Sequence, residues 1–155
     1  MLDDELIKKT LETAKTIAMV GVSSIKKEVS TSIKRRPSTI VMKYMQEFGY
    51  RVIPVNPFSV GKKIHGETIV AKLCDIKIPI DIVDVFRPSR EAALIAKEAI
   101  KIRAKVFWLQ YGIQNDEAKK IVESKNIYYV SNKCIKQEYQ RLFLKVSPVF
   151  PALKK

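Results

Sequence analysis

Short apolar runs alternate along this chain with longer segments in which apolar residues recur at helical spacing. The short runs are rich in β-branched residues and are bounded by Gly, Pro, Ser or Asn, as is typical of buried strands. They predict strands at 15–20, 51–55, 81–86, 104–109 and 127–130. The longer segments predict helices at 2–14, 37–48, 89–102, 116–125 and 133–144. Between 58 and 80 the pattern predicts only a short edge strand and a turn of helix.

Capping residues support several of these helix ends. Ser89 and Asn115 are suited to the N-caps of two helices, and Ser131 with Asn132 to the N-cap of the last one. Gly49 is a suitable C-cap for the helix that begins at Pro37.

Strands that alternate with helices of this length imply right-handed βαβ units and a parallel sheet with helices on both faces. The sequence therefore predicts an α/β class, with three layers around a mainly parallel sheet of five or six strands. A length of 155 residues suits one domain, 1–155, that buries a core without disulfide or metal staples.

Ligands of such folds bind beyond the carboxyl ends of the strands. The residues that follow the predicted strands are turn-like in four places, at 21–24, 55–57, 86–89 and 110–112. Gly21 ends an apolar strand where the chain must turn, and the small residues Ser23 and Ser24 follow it. A strand, such a turn and a following helix together predict a phosphate cradle.

Four familiar kinds of site are missing from the sequence. The G-x-G-x-x-G fingerprint is absent after Gly21, and Asn56 stands where a dinucleotide site carries Asp or Glu for the ribose hydroxyls. There is no Walker A loop and no C-x-x-C. With His65 as the one histidine and Cys74 and Cys134 as the cysteines, neither a zinc site nor a nucleophile–base set can be assembled. We expect His65 to be a solvated loop residue.

The formal net charge of +13 attracts anions such as nucleic acid, anionic lipid or a polyphosphate ligand. One basic group, directly after the cradle, comprises Lys26, Lys27, Lys34, Arg35 and Arg36. A second comprises Lys133, Lys136, Arg141, Lys145, Lys154 and Lys155. For the second group, a surface solvated by cations and an anion-binding surface remain equal alternatives. No apolar run is long enough to span a membrane, and the acidic N-terminus lacks a signal peptide, so a cytoplasmic location is expected.

Six segments in order resemble one known family. They are VGVS at 20–23, RPS at 36–38, GYRVIPVNP at 49–57, VDVFR at 83–87, WLQYGI at 108–113 and CIK at 134–136. These segments resemble the CoA-binding domain family of small Rossmann-like proteins, which is similar to the nucleotide-binding half of the succinyl-CoA synthetase α-subunit. The resemblance covers about 15–143. Two departures are a longer segment at 24–35 and Tyr139, where family members commonly place a histidine.

The resemblance implies coenzyme A as the ligand, which suits strand ends that offer amides and cations rather than a carboxylate. It implies that Gly21, Val22, Ser23 and Ser24 cradle phosphate. It implies that Val55, Asn56 and Pro57 line the adenosine side, and that Lys62 or Lys63 reaches the 3′-phosphate. It further implies that Val85, Phe86, Arg87 and Pro88 flank the adenine or the pantetheine arm, and that Gln110 and Gly112 complete the wall.

Four residues carry alternatives. Arg36 either pairs with the pyrophosphate or is a solvated surface charge, and Phe86 either packs in the core or contacts the ligand. Asp84 lies within a buried strand, so we expect a structural hydrogen-bonding role for it. Cys134, expected in the first turn of the last helix, either favours the thiolate and forms a mixed disulfide with CoA or packs as a small hydrophobe.

The sequence favours a module that binds CoA or acyl-CoA without a catalytic apparatus. An NAD(P)- or nucleotide-binding enzyme subunit, or a subunit that acts on acyl-CoA with a partner, is the first alternative. A basic protein that binds nucleic acid is the second, although no recognisable nucleic-acid-binding motif is present.

Overall fold

The structure is a computed structural model that describes residues 2–22 and 37–145. Within these ranges the helices are α1 (Leu2–Thr13), α2 (Pro37–Glu47), α3 (Ala92–Lys101), α4 (Asp116–Glu123) and α5 (Ile135–Tyr139). The strands are β1 (Thr16–Val20), β2 (Arg51–Val55), β3 (Lys63–Ile64), β4 (Glu67–Thr68), β5 (Ile82–Val85), β6 (Val106–Leu109) and β7 (Tyr128–Val130). Short 3₁₀ turns lie at Leu73–Asp75 and Ser89–Glu91, and a π-helix follows α5 at Gln140–Leu144.

The main sheet is parallel and has five strands in the order β2-β1-β5-β6-β7. Each of the five predicted long strands is present, so the α/β class and the parallel sheet are confirmed. Val70 adds a single parallel bridge beside Val55, at the outer edge of β2. The strand order reverses between β1 and β5, which is the position where doubly wound sheets bind ligands.

The sheet separates two apolar clusters, because alternate side chains of each strand point to opposite faces. Ala18 and Val83 pack on one face, beneath α3 and α4. Ile17 and Ile82 pack on the other face, beneath α1, α2 and α5. The result is the predicted three-layer, Rossmann-like arrangement.

Of the predicted caps, the one at Asn115 is confirmed, because its side-chain oxygen accepts a hydrogen bond from the Ala118 N–H at 2.8 Å. The N-cap prediction for Ser89 is wrong. α3 begins three residues later, after a 3₁₀ turn, and the Ser89 hydroxyl instead accepts from the backbone N–H of Gln114 at 3.1 Å. Tertiary contact with the loop after β6 therefore replaces local capping.

The prediction that Ser131 and Asn132 cap the last helix is also wrong. Asn132 has a left-handed φ of 56°, and its side chain accepts a hydrogen bond from the Gly112 N–H at 2.7 Å. The helix begins at Ile135, with Cys134 at the N-cap position. Within residues 2–22 and 37–145, no helix combines the length and the apolar character needed to cross a bilayer.

Candidate functional site

A cleft of about 320 Å³ opens at the carboxyl ends of β1, β2 and β5, beside the start of α3. It lies at the reversal of strand order, as the sequence predicts. Its lining on the β1 and β2 side is Val20, Gly21, Val55, Asn56, Pro57, Phe58, Ala71 and Lys72. Its lining on the α3 side is Arg87, Glu91, Leu94, Ile95 and Glu98.

Gly21 forms the floor of the cleft. Its φ is +101°, and its N–H donates to the carbonyl of Val55 at 2.8 Å, so the turn after β1 is fixed against the end of β2. A Cβ atom at this position would lie 3.0 Å from Cδ of Arg87 and 3.2 Å from the carbonyl oxygen of Phe86. Glycine is therefore required both by the backbone conformation and by the close approach of the residues after β5.

The Asn56 side chain holds two segments of the cleft together. Its amide nitrogen donates to the carbonyl of Val22 at 2.8 Å, and its amide oxygen accepts from the N–H of Phe58 at 2.8 Å. Asn56 thus lines the cleft and also sets the shape of the loop after β2. A carboxylate at this position would have no N–H group to donate to the carbonyl of Val22.

The Arg87 side chain packs against the Gly21 turn through its methylene carbons, and its guanidinium lies beside Glu91. Its guanidinium donates to both carboxylate oxygens of Glu91, with Nε–Oε1 and Nη2–Oε2 distances of 2.8 Å. These hydrogen bonds raise the pKa of the Arg87 guanidinium and lower the pKa of the Glu91 carboxyl. The pair remains partly exposed, with side-chain exposures of 40% and 34%, so a ligand can reach it from the cleft.

The outer walls of the cleft are apolar, which the sequence did not predict. Phe58 is 87% exposed in the loop after β2, and Leu94 is 66% exposed on α3. Ile95 and Ala71 line the cleft more deeply. An exposed phenylalanine and a buried one look alike in sequence, and only the position of α3 shows that Leu94 belongs to this site.

Several predicted residues lie behind the cleft rather than on its walls. Val22 and Val85 are fully buried in the apolar clusters on opposite faces of the sheet. Phe86 is partly buried and packs against the cluster beneath α1, α2 and α5, which favours its core alternative. Pro88 precedes the 3₁₀ turn, and its carbonyl accepts from the N–H of Glu91.

Gln110 and Gly112 organise a different strand end, that of β6. The buried Gln110 side chain accepts from the N–H of Ile135 at 3.2 Å, and Gly112 turns the chain with a φ of +86°. Cys134 is partly buried against the cluster beneath α1, α2 and α5 and lies outside the first turn predicted for it. Its packing favours the interpretation of a small apolar residue.

The two lysines predicted to reach the 3′-phosphate do not line the cleft. Lys62 and Lys63 are exposed and are not part of its lining, whereas Lys72 and Arg87 are the cations that line the cleft among the described residues. Lys72 lies in the weakly patterned segment 58–80, where sequence alone gave no position for its side chain. The predictions for Ser23, Ser24 and Arg36 fall outside the described residues, as does the longer segment at 24–35.

Asp84 differs from its predicted role as a hydrogen-bonding strand residue. It is fully buried, and among the described residues neither carboxyl oxygen has a hydrogen-bond partner. Burial therefore holds the pKa of this carboxyl well above its usual range. The prediction of a hydrogen-bonding role is therefore wrong for the described residues, because the position on β5 buries the carboxyl completely without a hydrogen-bond partner there.

His65 is exposed at the β3–β4 turn, as predicted, and its Nε2 lies 3.1 Å from the carbonyl oxygen of Thr39. Within the part of the chain that the structure describes, no cluster of three or more His, Cys, Asp and Glu side chains is placed to hold a metal ion.

Comparison with known proteins agrees with this geometry. A family model described as a CoA binding domain matches residues 15–140. The chain is 38% identical to the protein YneT of Bacillus subtilis (strain 168) over 130 residues, which are 84% of this chain and 89% of that one. A solved structure from Thermus thermophilus has a TM-score of 0.81 and 38% identity, and covers 90% of this chain and 98% of its own. A solved structure from Pyrococcus horikoshii OT3 has a TM-score of 0.80 and 36% identity, and covers 90% and 91%.

Proposed function

The chain belongs to the CoA binding domain family, and from this premise we propose that it binds coenzyme A, free or acylated, in the cleft at Gly21. The observation that carries the proposal is the position of Arg87, whose side chain lies against the Gly21 turn at the reversal of strand order. A guanidinium there meets a diphosphate that crosses the ends of β1 and β5. A cytoplasmic location stays a prediction of the sequence.

Two cations of the cleft, Arg87 and Lys72, suit a ligand with several phosphates, although Glu91 and Glu98 line it as well. Coenzyme A carries a diphosphate and a ribose 3′-phosphate, and Arg87 presents a planar fork of donors that matches phosphate oxygens. Lys72, on the other side of the cleft, supplies a second cation. Gly21 has no side chain, so a phosphate can approach its backbone closely. Further contacts to phosphate are predicted for Ser23, Ser24, Arg36 and Lys62.

The end of β2 supports coenzyme A over a nicotinamide dinucleotide. A dinucleotide site places a carboxylate there to bind the ribose hydroxyls. Here the position holds Asn56, and its side chain is occupied by Val22 and Phe58. We therefore assign the protein to binding rather than to hydride transfer.

The nucleic-acid alternative receives less support from the second basic group. Arg141 of that group is paired with Asp4 and Glu138, and Lys136 lies 5.3 Å from the centroid of the Tyr44 ring. Cations held in contacts within the chain are less available to a phosphate backbone. Contacts of this kind hold Arg141 and Lys136, and no observation on the described residues favours nucleic acid over coenzyme A.

Changing the Arg87–Glu91 pair tests the proposal with effects of opposite sign. We expect Arg87→Gln to weaken coenzyme A binding about tenfold or more, because a charge-assisted hydrogen bond contributes about 1.5–3 kcal/mol. We expect Glu91→Gln to strengthen binding severalfold, because it frees the guanidinium and removes a negative charge that repels phosphate. Isothermal titration calorimetry at low and moderate salt measures both effects.

Each of the two variants has a matched control. Arg90→Gln removes the same charge from a neighbouring position that does not line the cleft, and it should leave the affinity nearly unchanged. Glu98→Gln removes a carboxylate that lines the cleft but is not paired with Arg87, and it should have a smaller effect than Glu91→Gln. Equal losses for Arg87→Gln and Arg90→Gln would remove Arg87 from the site.

A further inference from the structure

A second pocket, of about 240 Å³, lies at the opposite end of the sheet from the cleft. It is lined by the residues just before β1, Ala14 and Lys15, and by those just before β2, Gly49 and Tyr50. Because the cleft lies at the carboxyl ends of the same strands, the two openings are at different edges of the sheet. The volume is below the range of about 300–1,000 Å³ that is typical of pockets for drug-sized ligands, so it suits a molecule with one ring.

Four aromatic side chains line this second pocket, which we call the aromatic pocket, and Tyr139 is the central one. The centroid of its ring lies 4.9 Å from that of Phe48 and 4.7 Å from that of Phe143. The ring of Tyr50 lies 6.2 Å away, and its hydroxyl donates to the carbonyl of Leu11, which fixes it against the end of α1. Rings that hold one another in place offer preformed faces to the ring of a ligand.

The charged residues that line the aromatic pocket are one acid and one base, Glu12 and Lys15. Both are exposed, and neither forms an ion pair with another residue that the structure describes. Glu12 lies in the last turn of α1, where the carbonyl end of the helix also attracts positive charge. An unpaired carboxylate and an unpaired ammonium group beside one aromatic wall suit a ligand that carries both charges.

We propose that the aromatic pocket binds a zwitterion with one aromatic ring, of which the free aromatic amino acids are the simplest. The ammonium group of the ligand pairs with Glu12, its carboxylate pairs with Lys15, and its ring packs against Phe48 and Tyr139. A zwitterion has no net charge, so the net charge of +13 on the protein does not repel it as it repels a simple cation. This second ligand goes beyond the proposed function and does not depend on it.

Titration of isotope-labelled protein with L-phenylalanine, followed by NMR, tests the site. We expect the amide signals of Gly49 and Tyr50 to shift with saturation, whereas that of Gly21, in the cleft, should stay in place. Concentrations up to about 10 mM are sufficient, because they saturate a weak site with a Kd of about 1 mM. L-Leucine has the same charges without a ring, and it should bind about tenfold more weakly because it lacks the contacts between rings.

Two ligands that each lack one charge separate the roles of Glu12 and Lys15. Glu12→Gln should weaken the binding of L-phenylalanine and of phenethylamine, which lacks the carboxylate, about twofold to fivefold, as is typical of exposed ion pairs. It should not weaken the binding of phenylpropionate, which lacks the ammonium group. Lys15→Gln should weaken L-phenylalanine and phenylpropionate by a similar factor and should not weaken phenethylamine.

Matched controls lie on the same helix. Glu5→Gln and Lys9→Gln remove the same charges from exposed positions of α1 that do not line the pocket, and they should leave all affinities unchanged. Phe48→Leu keeps an apolar side chain but removes one ring, and it should weaken all three ring-bearing ligands about twofold to tenfold. Phe48 is 40% exposed, and the charged side chains are exposed, so all these variants should melt within a few degrees of the wild type.

Three results would overturn the proposal. They are the absence of a saturable shift at Gly49 and Tyr50, equally tight binding of L-leucine, and losses for Glu12→Gln and Lys15→Gln that do not depend on which charge the ligand carries. Coenzyme A binding decides the proposed function separately. Because the two sites lie at different edges of the sheet, coenzyme A should bind Glu12→Gln and Lys15→Gln as tightly as the wild type.

Discussion

Replacing Asp84 with asparagine is expected to stabilise the protein, and to stabilise it more the higher the pH. Asp84 is fully buried on β5, and its carboxyl oxygens have no hydrogen-bond partner among the described residues. Burial raises the pKa of this carboxyl well above its usual range. Asparagine has nearly the same shape but cannot ionise, so it removes the cost that is linked to the charge.

The sign of this pH dependence follows from the number of protons that Asp84 binds in the folded and the unfolded state. The unfolded chain releases the Asp84 proton near about pH 4, whereas the folded chain retains it to higher pH. Above that pH the unfolded state binds fewer protons, so the free energy of unfolding falls by about 1.4 kcal/mol per pH unit. The loss continues until the pH passes the raised pKa of the folded state. Asp84→Asn lacks this loss, so its advantage should be near zero at pH 4 and should grow with pH.

Urea unfolding between pH 4 and pH 8, followed by the fluorescence of the buried Trp108, measures this difference. Asp81→Asn is a control of opposite sign. Although burial alone would raise the pKa of Asp81, hydrogen bonds from the backbone N–H groups of Lys15 and Thr16 lower it. That variant should be destabilised above the unfolded pKa, and the difference should shrink as the pH falls. An advantage for Asp84→Asn that is equal at pH 4 and pH 8 would contradict the role of ionisation.

Gly21→Ala is expected to cost both stability and ligand affinity. The left-handed φ of +101° strains any residue with a side chain, and the new Cβ would lie 3.2 Å from the carbonyl oxygen of Phe86. A Gly→Ala change stabilises a protein by about 0.4–1 kcal/mol where the backbone is compatible, but at a positive φ it destabilises by more than that, and the clash adds to the loss. Because Arg87 lies 3.0 Å from the same point, the substitution also displaces the guanidinium from the cleft.

Gly49→Ala separates the effect of backbone strain from the effect of the steric clash. Gly49 has a φ of +100°, and a Cβ there would meet nothing within 4 Å. It therefore carries the same backbone strain without the clash and lies away from the cleft. Chemical denaturation and calorimetric titration should show Gly21→Ala to be the less stable variant and the only one of the two that loses coenzyme A affinity. Equal behaviour of the two variants would mean that close packing at Gly21 is unimportant.

The fold was predictable because its signals are local and repeated. The buried strands carry β-branched residues on both faces. Asn115 caps α4 by accepting a hydrogen bond from the N–H of Ala118, three residues along the chain. Ser89 and Asn132 failed as predicted caps because their side chains bind the loop after β6 instead, a contact that only the folded sheet creates. Local capping preference was overridden by tertiary hydrogen bonds.

The candidate site was predictable at its floor and not at its walls. Gly21 and Asn56 follow strands, so the parallel sheet brings them to one edge. Phe58 and Lys72 lie in the weakly patterned segment 58–80, whose path the sequence does not specify. Helical spacing leaves Leu94 off the buried face of α3, but it does not show that this exposed side lines the cleft. The lack of a hydrogen-bond partner for Asp84 was likewise not predictable, because it depends on which side chains the fold places around this carboxyl.

The most direct test of coenzyme A binding is a thermal-shift measurement on the wild-type chain with coenzyme A, dephospho-CoA and NAD at equal concentrations. A ligand that binds only the folded state must raise its stability, by about 2.7 kcal/mol when it is present at 100 times its Kd. We expect coenzyme A to raise the melting temperature most, dephospho-CoA less, and NAD not at all. A shift with NAD and none with coenzyme A would contradict the proposed function while leaving the fold intact.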